Sequence, residues 1–370
     1  MACWLVPPSP WGNICWRRCR RCWAGSIAAV EQDPDVAASC AVRARRRAAA
    51  WPSTAVPDAR LEPLGAGHIN DTWLVTTDAG RFVLQRLNAR VFPEPRALMA
   101  KVAAVVKHLR GGSGVVVPRL LTTATGDWWH EDDAGEVWRL SEYVAGTRAL
   151  ATLENPAQAE AAGRAVGAFQ QALEDFTAPV PEPIPGFMQL SGYLAALDAA
   201  VAARTLPAGL APLLAAVDAR RDLASEFAER NRLVHGDCKI DNLLFHADRD
   251  EVACIIDLDT VMHGHWAWDF GDLVRSAAGT GDGFCVERFA AIARGFRVAA
   301  GIAPGVDAMV RAPRYVALML AVRFLTDHLE GDRYFKVVAP GDNLARARRQ
   351  LRVLESMERQ ALAMDAAVRA

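Results

Sequence analysis

The residues with the clearest chemical potential lie on either side of a hairpin pattern in the second half of the chain. Two apolar runs, 242–245 and 252–256, flank a charged stretch, a pattern typical of two strands joined by a polar turn. Asp237 and Asn242 stand at the outer end of the first run, and Asp257 directly follows the second. Folding of the hairpin is therefore expected to bring these three side chains to one edge, although Asp257 lies twenty residues beyond Asp237.

Such a cluster suits phosphoryl transfer from a nucleoside triphosphate to a hydroxyl group. This reaction needs one carboxylate to accept the hydroxyl proton, together with an Asn and a second carboxylate that hold Mg²⁺ on the phosphates. The kinase catalytic loop has its base Asp five residues before its Asn, which is the spacing of Asp237 and Asn242. Lys239 is expected near the transferred phosphate. The alternative is a surface hairpin with solvated charges, but the ordered set His-Gly-Asp, Asp-x4-Asn and Ile-Asp-Leu-Asp favours the catalytic interpretation.

Length and composition restrict the class of protein. A chain of 370 residues with 52% hydrophobic residues predicts a sizeable core, in one two-lobed unit or two domains. The net charge of −1 gives no electrostatic case for a nucleic-acid partner. The sequence contains no run of eighteen uncharged apolar residues, so no membrane-spanning helix is expected. Prolines at positions 7, 8 and 10 interrupt the apolar start that a secretory signal peptide would need. We therefore expect neither a nucleic-acid nor a membrane partner.

Residues 1–57 are predicted to form a disordered extension, because they mix Trp, Arg, Cys, Pro and Ala without a period. The segment Cys15-x3-Cys19-x2-Cys22 has the spacing with which radical enzymes hold an iron–sulfur cluster, but those enzymes need an α/β barrel that this chain does not offer. A zinc site would need a fourth ligand, such as Cys3 or Cys40. The eight cysteines do not resemble a disulfide framework, so a reducing cytoplasm is the expected location.

Residues 58–144 are predicted to form a small nucleotide-binding lobe. Gly65 and Gly67, followed by Asn70 and Thr72, lie ahead of a strand and allow the backbone to approach phosphates, although an ordinary tight turn has the same pattern. One helix is predicted in this lobe, at 95–110. The predicted strands are 73–76, 81–87, 115–121, 127–131 and 137–144.

Residues 145–370 are predicted to form a larger, mainly helical lobe. The hinge between the lobes is expected at 141–146, where backbone groups of Glu142 and Val144 would meet an adenine edge, unless the segment is a simple linker. Helical or Ala-rich periodicity predicts helices at 156–176, 191–204, 212–231, 285–300, 307–329 and 343–368.

The motifs His-Gly-Asp-x4-Asn at 235–242 and Ile-Asp-x-Asp at 256–259 resemble those of the aminoglycoside phosphotransferase and choline kinase-like superfamily, relatives of protein kinases. Four blocks, spread over roughly residues 60 to 360, look more narrowly like the N-acetylhexosamine 1-kinase branch; they lie at 67–72, 83–92, 257–275 and 323–335. The resemblance implies an α+β, protein kinase-like two-lobed fold, with a small N-terminal β-sheet lobe containing one helix and a larger, mainly helical C-terminal lobe.

The same resemblance implies roles for individual residues. Asp237 would be the catalytic base, and Asn242 and Asp257 would bind Mg²⁺, with Asp259 a further candidate at the metal edge. The sugar would lie near three residues, His68, Arg323 and Tyr334, of which His68 and Tyr334 have packing as the alternative role. Arg323 lies inside an apolar helix, where an unpaired guanidinium would be costly, so it must reach solvent or find a partner.

Two features depart from the protein-kinase pattern. The strand at 81–87 offers Gln85 and Arg86 in place of the ATP-binding lysine, and the helix at 95–110 contains no Glu to pair with one. Arg86 is a candidate for the phosphate contact, unless the alternation of strand faces points it into solvent.

A literal Asp-Phe-Gly stands at 269–271, thirty-two residues after Asp237 and at a helix start. Because Asp257 ends an apolar strand, it is the better metal ligand. Asp269 and Asp272 are expected to cap or brace the large lobe.

These observations predict a kinase that moves the ATP γ-phosphate to the anomeric hydroxyl of an N-acetylated hexosamine. One rival is a kinase for an aminoglycoside, choline or another small alcohol, whose cationic substrate would need an acidic or aromatic pocket such as Trp266, Trp268 and Asp327 offer. The other rival is a non-catalytic nucleotide-binding module, suggested by the missing lysine.

Overall fold

An antiparallel sheet forms the core of the small lobe. The structure is a computed structural model that describes residues 43–55, 58–64, 69–206, 208–281 and 283–370. In those residues the sheet has the strand order β1-β2-β3-β6-β4, with β5 paired to β6. The strands are β1 (Arg60–Pro63), β2 (Asp71–Thr77), β3 (Gly80–Arg86), β4 (Leu120–Leu121), β5 (His130–Glu131) and β6 (Val137–Glu142).

The two faces of this sheet have different roles. Side chains of a strand alternate between faces, so Trp73, Phe82, Leu84 and Trp138 share one face and form a separate hydrophobic cluster on the outer side. Trp73 and Trp138 stack with their ring centroids 5.5 Å apart. The opposite face is covered by helix α1 (Pro95–Leu109) and looks toward the large lobe.

Part of the segment predicted as a disordered extension is folded. Residues 43–48 are helical, and Trp51 is fully buried with its indole N–H donating to the Leu121 carbonyl at 2.9 Å. Ala44, Ala48 and Trp51 all join the outer cluster. They follow the helical period i, i+4, i+7, which the prediction overlooked. The folded small lobe therefore includes residues 43–55. The cysteine motif at 15–22, with Cys3 and Cys40, lies outside the described residues.

Two predicted strands of the small lobe are much shorter than expected. Of 115–121 only Leu120–Leu121 is a strand, because Pro118 has no N–H to continue a ladder. Of 127–131 only His130–Glu131 pairs with β6. The helix at 95–110 is confirmed within one residue.

The large lobe is mainly helical, and most of its predicted helices are present. The exceptions are 212–231, which ends at Asp218 and continues only as a 3-10 turn at Arg221–Ser225, and 343–368, which is broken at Gln360. The helices are α2 (Pro156–Ala172), α3 (Leu190–Ala202), α4 (Ala211–Asp218), α5 (Trp266–Ala278), α6 (Val286–Ala299), α7 (Val306–Glu330), α8 (Asp342–Arg359) and α9 (Ala361–Arg369). In the parts of the chain that the structure describes, no helix combines the length and apolarity needed to cross a membrane.

Short strands at the top of the large lobe carry the site. The predicted hairpin is confirmed as β9 (Leu243–His246) and β10 (Val252–Ile255), and β9 also pairs with β7 (Thr147–Ala149) just after the hinge. The strands β8 (Arg232–Val234) and β11 (Met262–Gly264) form a second antiparallel pair. Because β8 precedes Asp237 and β11 follows Asp257, this pairing brings the two segments side by side.

The buried indole of Trp51 makes the N-terminal segment necessary for stability. We expect Trp51→Ala to lower the free energy of unfolding by about 3–5 kcal/mol, since it removes a large buried side chain and leaves the Leu121 carbonyl without its donor. Trp128→Ala is the matched control, because Trp128 is 41% exposed and should change the stability by less than about 0.5 kcal/mol. Equal effects in urea unfolding would show that Trp51 does not brace the lobe.

Candidate active site

A buried carboxylate holds the loop that carries Asp237. The two oxygens of Asp269, at the start of α5, accept hydrogen bonds from the backbone N–H groups of His235 and Gly236, each at 2.8 Å. Gly236 has φ +81°, and a Cβ there would lie 2.6 Å from the Thr260 carbonyl oxygen, so the turn requires glycine. Asp269 was expected to cap or brace the large lobe, and in the structure it fixes the loop that carries Asp237.

His235 links the two halves of the site. Its Nε2–H donates to the Ile256 carbonyl at 2.9 Å, and its Nδ1 accepts the N–H of Asp237 at 3.3 Å. These partners require the neutral Nε2–H tautomer, because Nδ1 must offer a lone pair. One fully buried ring therefore contacts both the backbone of Asp237 and the residue before Asp257.

Asp237 lies in a ring of favourable contacts. Its Oδ2 accepts from Lys239 Nζ at 2.7 Å and from Asn242 Nδ2 at 3.0 Å, and the Asn242 amide also donates to the Asp237 carbonyl at 2.7 Å. Although burial alone disfavours the charge, the ammonium group of Lys239 and the hydrogen bond from Asn242 lower the pKa of Asp237. The predicted approach of Asp237 and Asn242 is confirmed, and the carboxylate is ionised at neutral pH.

Asp257 has the opposite electrostatic environment. Burial, followed by the neighbouring carboxylates of Asp259 and Asp237, raises the pKa of Asp257 to about 6. Its backbone is left-handed at φ 65°, which aims the residue out of the strand direction as β10 ends. A divalent cation would relieve this repulsion, and Mg²⁺ prefers oxygen ligands of this kind.

The donor set fits a metal shared with a nucleotide. Within the described residues, no three His, Cys, Asp or Glu side chains are grouped as a ready-made metal cage. Mg²⁺ is usually held by one or two carboxylates together with phosphate oxygens and water. Asp257 and the Asn242 amide oxygen are therefore suitable ligands once phosphates supply the rest.

A cleft between the two lobes gives access to the two carboxylates of the candidate site. Both Asp237 and Asp257 line it, and the nine lining residues are Ile69, Asn70, Thr72, Gln85, Phe92, Asp237, Lys239, Asp257 and Thr260. The predicted contacts Asn70 and Thr72 are thus in the cleft, whereas Gly65, Gly67 and His68 lie outside the described residues.

Thr260 was missed by the sequence analysis. Thr260 is 5% exposed and lines the cleft, and among the described residues its buried hydroxyl has no hydrogen-bond partner. A buried hydroxyl normally has a partner. Its position three residues after Asp257 was the one available signal.

The sheet places Arg86 away from the cleft, contrary to its expected phosphate contact. Arg86 lies on the outer face with Leu84, where it pairs with Asp71 and with Glu136 at 2.9 Å. Although burial opposes its charge, Asp71 and Glu136 raise the pKa of Arg86. Gln85 occupies the cleft face instead, since neighbouring strand residues point to opposite sides.

Asp259 is also corrected as a candidate metal ligand. Its side chain is 1% exposed and forms a two-point ion pair with Arg139, whose second nitrogen lies 3.1 Å from Asp259 Oδ2. Asn70 Nδ2 donates to the same oxygen at 2.8 Å. Because both carboxylate oxygens are already occupied, Asp259 serves as an internal partner for Arg139.

A buried lysine on α1 contacts the backbone of the segment that follows Asp257. Lys101 is 2% exposed, and its Nζ donates to the carbonyls of Asp259 and Val261, both at 2.7 Å. Burial, only partly offset by Asp259 and reinforced by Arg139, lowers the pKa of Lys101 to about 7. The helix that lacks the expected Glu thus contributes a cation instead.

The hinge residues already use part of their backbone. The N–H of Glu142 donates to the Arg119 carbonyl at 2.9 Å, and its carboxylate pairs with Arg119. The Val144 carbonyl accepts from Thr147 Oγ1 at 2.7 Å. The predicted adenine contacts at Glu142 and Val144 would have to use their other backbone groups.

Arg323 and Tyr334 come together in an aromatic cage. The Arg323 guanidinium lies 5.1 Å from the ring centroids of Tyr193, Tyr334 and Phe335, and 5.4 Å from that of Phe187. Burial alone would lower the pKa of Arg323, but Tyr193, Tyr334 and Asp237 raise it. The helix tolerates this arginine because the aromatic faces stabilise its charge.

The residues suggested for a cation-binding pocket have other functions. Trp266 and Trp268 are buried in the core of the large lobe. Asp327 is 3% exposed and accepts backbone N–H groups of residues 333, 334 and 335, so it fixes the loop that contains Tyr334. Asp272 pairs with Arg275 on the same helix.

Comparison with known proteins assigns the chain to a family. A model of the phosphotransferase enzyme family matches residues 60–305, and the chain belongs to that family. The structure resembles that of a choline/ethanolamine kinase family protein from Mesorhizobium loti, at 22% identity and a TM-score of 0.58, with 89% of this chain and 98% of that chain covered. An aminoglycoside phosphotransferase from Alicyclobacillus acidocaldarius has 15% identity and a TM-score of 0.58, covering 88% and 95%.

An amicoumacin kinase, solved with AMP-PNP, Ca²⁺ and its substrate, has 17% identity and a TM-score of 0.59, covering 84% of this chain and 95% of that chain. At these identities the structural likeness establishes the fold. The expected α+β protein kinase-like architecture is therefore confirmed, and the chain is a member of a phosphotransferase family.

The raised pKa of Asp257 predicts a pH-dependent stability. Folding raises this pKa from 3.8 to about 6, so the ionised carboxylate destabilises the metal-free protein, and stability is lost as the pH rises through that interval. We expect Asp257→Asn to be more stable than the wild type by about 3 kcal/mol at pH 8 in EDTA, with no difference below about pH 3. Asp248→Asn, at a side chain 78% exposed, is the control. A variant less stable at every pH would contradict this prediction.

Proposed function

We propose that the protein transfers the γ-phosphate of ATP to a hydroxyl group of a small molecule, with Mg²⁺ as cofactor. The observation that carries this proposal is the meeting of Asp237 and Asp257 in one cleft, with Asn242 bonded to Asp237. Membership in the phosphotransferase family supports the reaction class. The amicoumacin kinase of the same fold was solved with AMP-PNP and a divalent ion, which supports the nucleotide and the metal.

The residues of the cleft divide the work of the proposed reaction. Asp237, kept ionised by its neighbours, orients the acceptor hydroxyl and takes its proton as the new bond forms. Asn242 and Asp257 would hold Mg²⁺, which neutralises charge on the phosphate oxygens when bound. Lys239 lies 2.7 Å from Asp237 and offsets charge on the moving phosphoryl group.

The acceptor is proposed to be an N-acetylated hexosamine, phosphorylated at its anomeric hydroxyl. The cage of Arg323, Tyr193 and Tyr334 supports this choice, because sugars are commonly bound by stacking on aromatic faces with polar groups at the edge. The carboxylate of Asp237 contributes to the raised pKa of Arg323, which supports a place for the sugar on the side of the cage that faces the proposed base.

The alternative acceptors are aminoglycosides, choline and other small alcohols, after which several structural neighbours are named. A cationic acceptor would have to approach a buried guanidinium, which is unfavourable. The burial of Trp266, Trp268 and Asp327 removes the pocket first considered for such a cation. A non-catalytic module is disfavoured by the ionised base at Asp237. The three described cysteines are free, which agrees with the proposed cytoplasmic location.

Replacement of the base separates chemistry from binding. We expect Asp237→Asn to lower kcat by about 10²–10⁴-fold while the affinity for ATP stays within about twofold, because only the proton acceptor is lost. Asp241→Asn, at an exposed carboxylate of the same loop, is the matched control and should keep normal turnover. A coupled assay with isothermal titration of AMP-PNP measures both quantities. Near-normal kcat in Asp237→Asn would refute the assignment.

A substrate panel tests the acceptor. Among N-acetylhexosamines, aminoglycosides and amino alcohols, we expect the highest kcat/KM with an N-acetylhexosamine. Arg323→Met should raise KM for that sugar by about 10–100-fold with KM for ATP unchanged, since a charged hydrogen bond is lost. Arg346→Met, which removes a guanidinium 5.8 Å from the Phe324 ring on a neighbouring helix, is the control. A preference for amino alcohols would replace the sugar proposal by the alternative.

A further inference from the structure

Four small-lobe side chains converge on the segment that follows Asp257. Arg139 on β6 forms a buried ion pair with Asp259, the two side chains being 6% and 1% exposed. Asn70, at the base of the glycine-rich segment, donates to the same carboxylate at 2.8 Å. Gln85 on β3 accepts from Arg139 Nε at 2.9 Å and so orients the guanidinium.

Lys101 contacts the same segment through the main chain. Its ammonium group donates to the carbonyls of Asp259 and Val261, at 2.7 Å each, from the middle of α1. Asp259 is therefore held by its side chain from the sheet and by its backbone from the helix. We call Asn70, Gln85, Lys101, Arg139 and Asp259 the inter-lobe cluster.

Stability alone is a poor explanation for this arrangement. Burial of the Arg139–Asp259 ion pair and of the Lys101 amino group carries a desolvation cost that such contacts often fail to recover, so apolar residues of similar size can be equally stabilising. Directional contacts provide something that apolar packing lacks, namely a fixed position. Here that position belongs to residues 259–261, two to four residues after the left-handed turn at Asp257.

The same cluster explains the missing Lys–Glu pair. In kinases that pair joins the small-lobe sheet to its helix beside the nucleotide. In this chain the sheet and the helix are instead joined through Asp259 of the large lobe, by Arg139 and Lys101 respectively. The link therefore passes through the segment that carries the proposed metal ligand.

We infer that the inter-lobe cluster positions Asp257 for metal binding, with Lys101 and Arg139 as positioning residues that act through Asp259. This inference rests on the proposed function, since it assumes that Asp257 holds Mg²⁺. Loss of Lys101 should leave nucleotide binding intact and weaken only the part of the binding that depends on the metal. A purely structural role would lower stability and leave that part unchanged.

The experiment measures AMP-PNP affinity by titration calorimetry, with Mg²⁺ and with EDTA, in the full chain. For the wild type we expect Mg²⁺ to tighten binding. Lys101→Met should keep the affinity in EDTA within about twofold of the wild type. The ratio of the affinity with Mg²⁺ to the affinity in EDTA should fall by about tenfold, which is the size of a typical second-sphere effect on a metal site. Arg96→Met is the control, because it removes from the same helix a cation whose partner, Glu131, lies at the surface.

A double-mutant cycle decides whether Lys101 acts through Asp257. With Asp257→Asn in place, Lys101→Met should cause no further loss of the tightening, since the two changes then affect one interaction. Losses that add in the double variant would overturn the inference. Arg139→Lys, which keeps the charge but loses the two-point pairing, gives a second route if Lys101→Met does not fold, and the same non-additivity is expected.

The outcomes distinguish this inference from the proposed function. If Mg²⁺ does not tighten binding in the wild type, the metal assignment of Asp257 fails, and the inference fails with it. If Mg²⁺ tightens binding equally in the wild type and in Lys101→Met, only the positioning role is overturned.

Discussion

The site depends on two hydrogen bonds that the carboxylate of Asp269 accepts from backbone N–H groups. Burial raises the pKa of this carboxyl, and the hydrogen bonds from His235, Gly236 and Gln170 favour its ionised form. A fully buried carboxylate is costly unless such donors surround it. Because Asp269 belongs to a packed helix, it anchors the loop of Asp237 to the core of the large lobe. His235 then extends that anchor to Ile256, and so to Asp257.

Local spacing was enough to predict that Asp237, Asn242 and Asp257 lie near one another. Asp237 and Asn242 are separated by one short turn, and a hairpin with a six-residue charged connection can return the chain only to the same edge. The partner of Asp259 could not be predicted in this way, because Arg139 lies 120 residues earlier in the sequence. A residue that looks like a metal ligand beside Asp257 is in fact neutralised by a distant cation. Pairings of that kind depend on the docking of the two lobes.

Two other differences had signals in the sequence. The period of two in a strand assigns Arg86 to the same face as Phe82 and Leu84, which the hydrophobic pattern marks as buried on the outer side. The N-terminal boundary was misjudged because arginines between Ala44 and Trp51 obscured a helical period. One of them, Arg47, pairs with Asp132 on the small lobe, as Arg43 just before Ala44 pairs with Glu136. In both cases, on the strand of Arg86 and in the N-terminal helix, the apolar positions determine the fold and the charged residues between them do not.

The charges in the cleft show which groups could meet the phosphates in place of the ATP-binding lysine that the strand at 81–87 lacks. Of the residues that line the cleft in the described part of the chain, Lys239 is the one cation, and it is paired with Asp237. Arg139 is neutralised by Asp259, and Lys101 bonds to carbonyl oxygens, so neither is available to a phosphate. In the proposed reaction, the negative charge of the triphosphate must then be offset mainly by the divalent ion. Burial and then the carboxylates of Asp259 and Asp237 raise the pKa of Asp257, so a divalent ion bound there in the proposed reaction would both pair with the phosphates and offset the repulsion among these carboxylates.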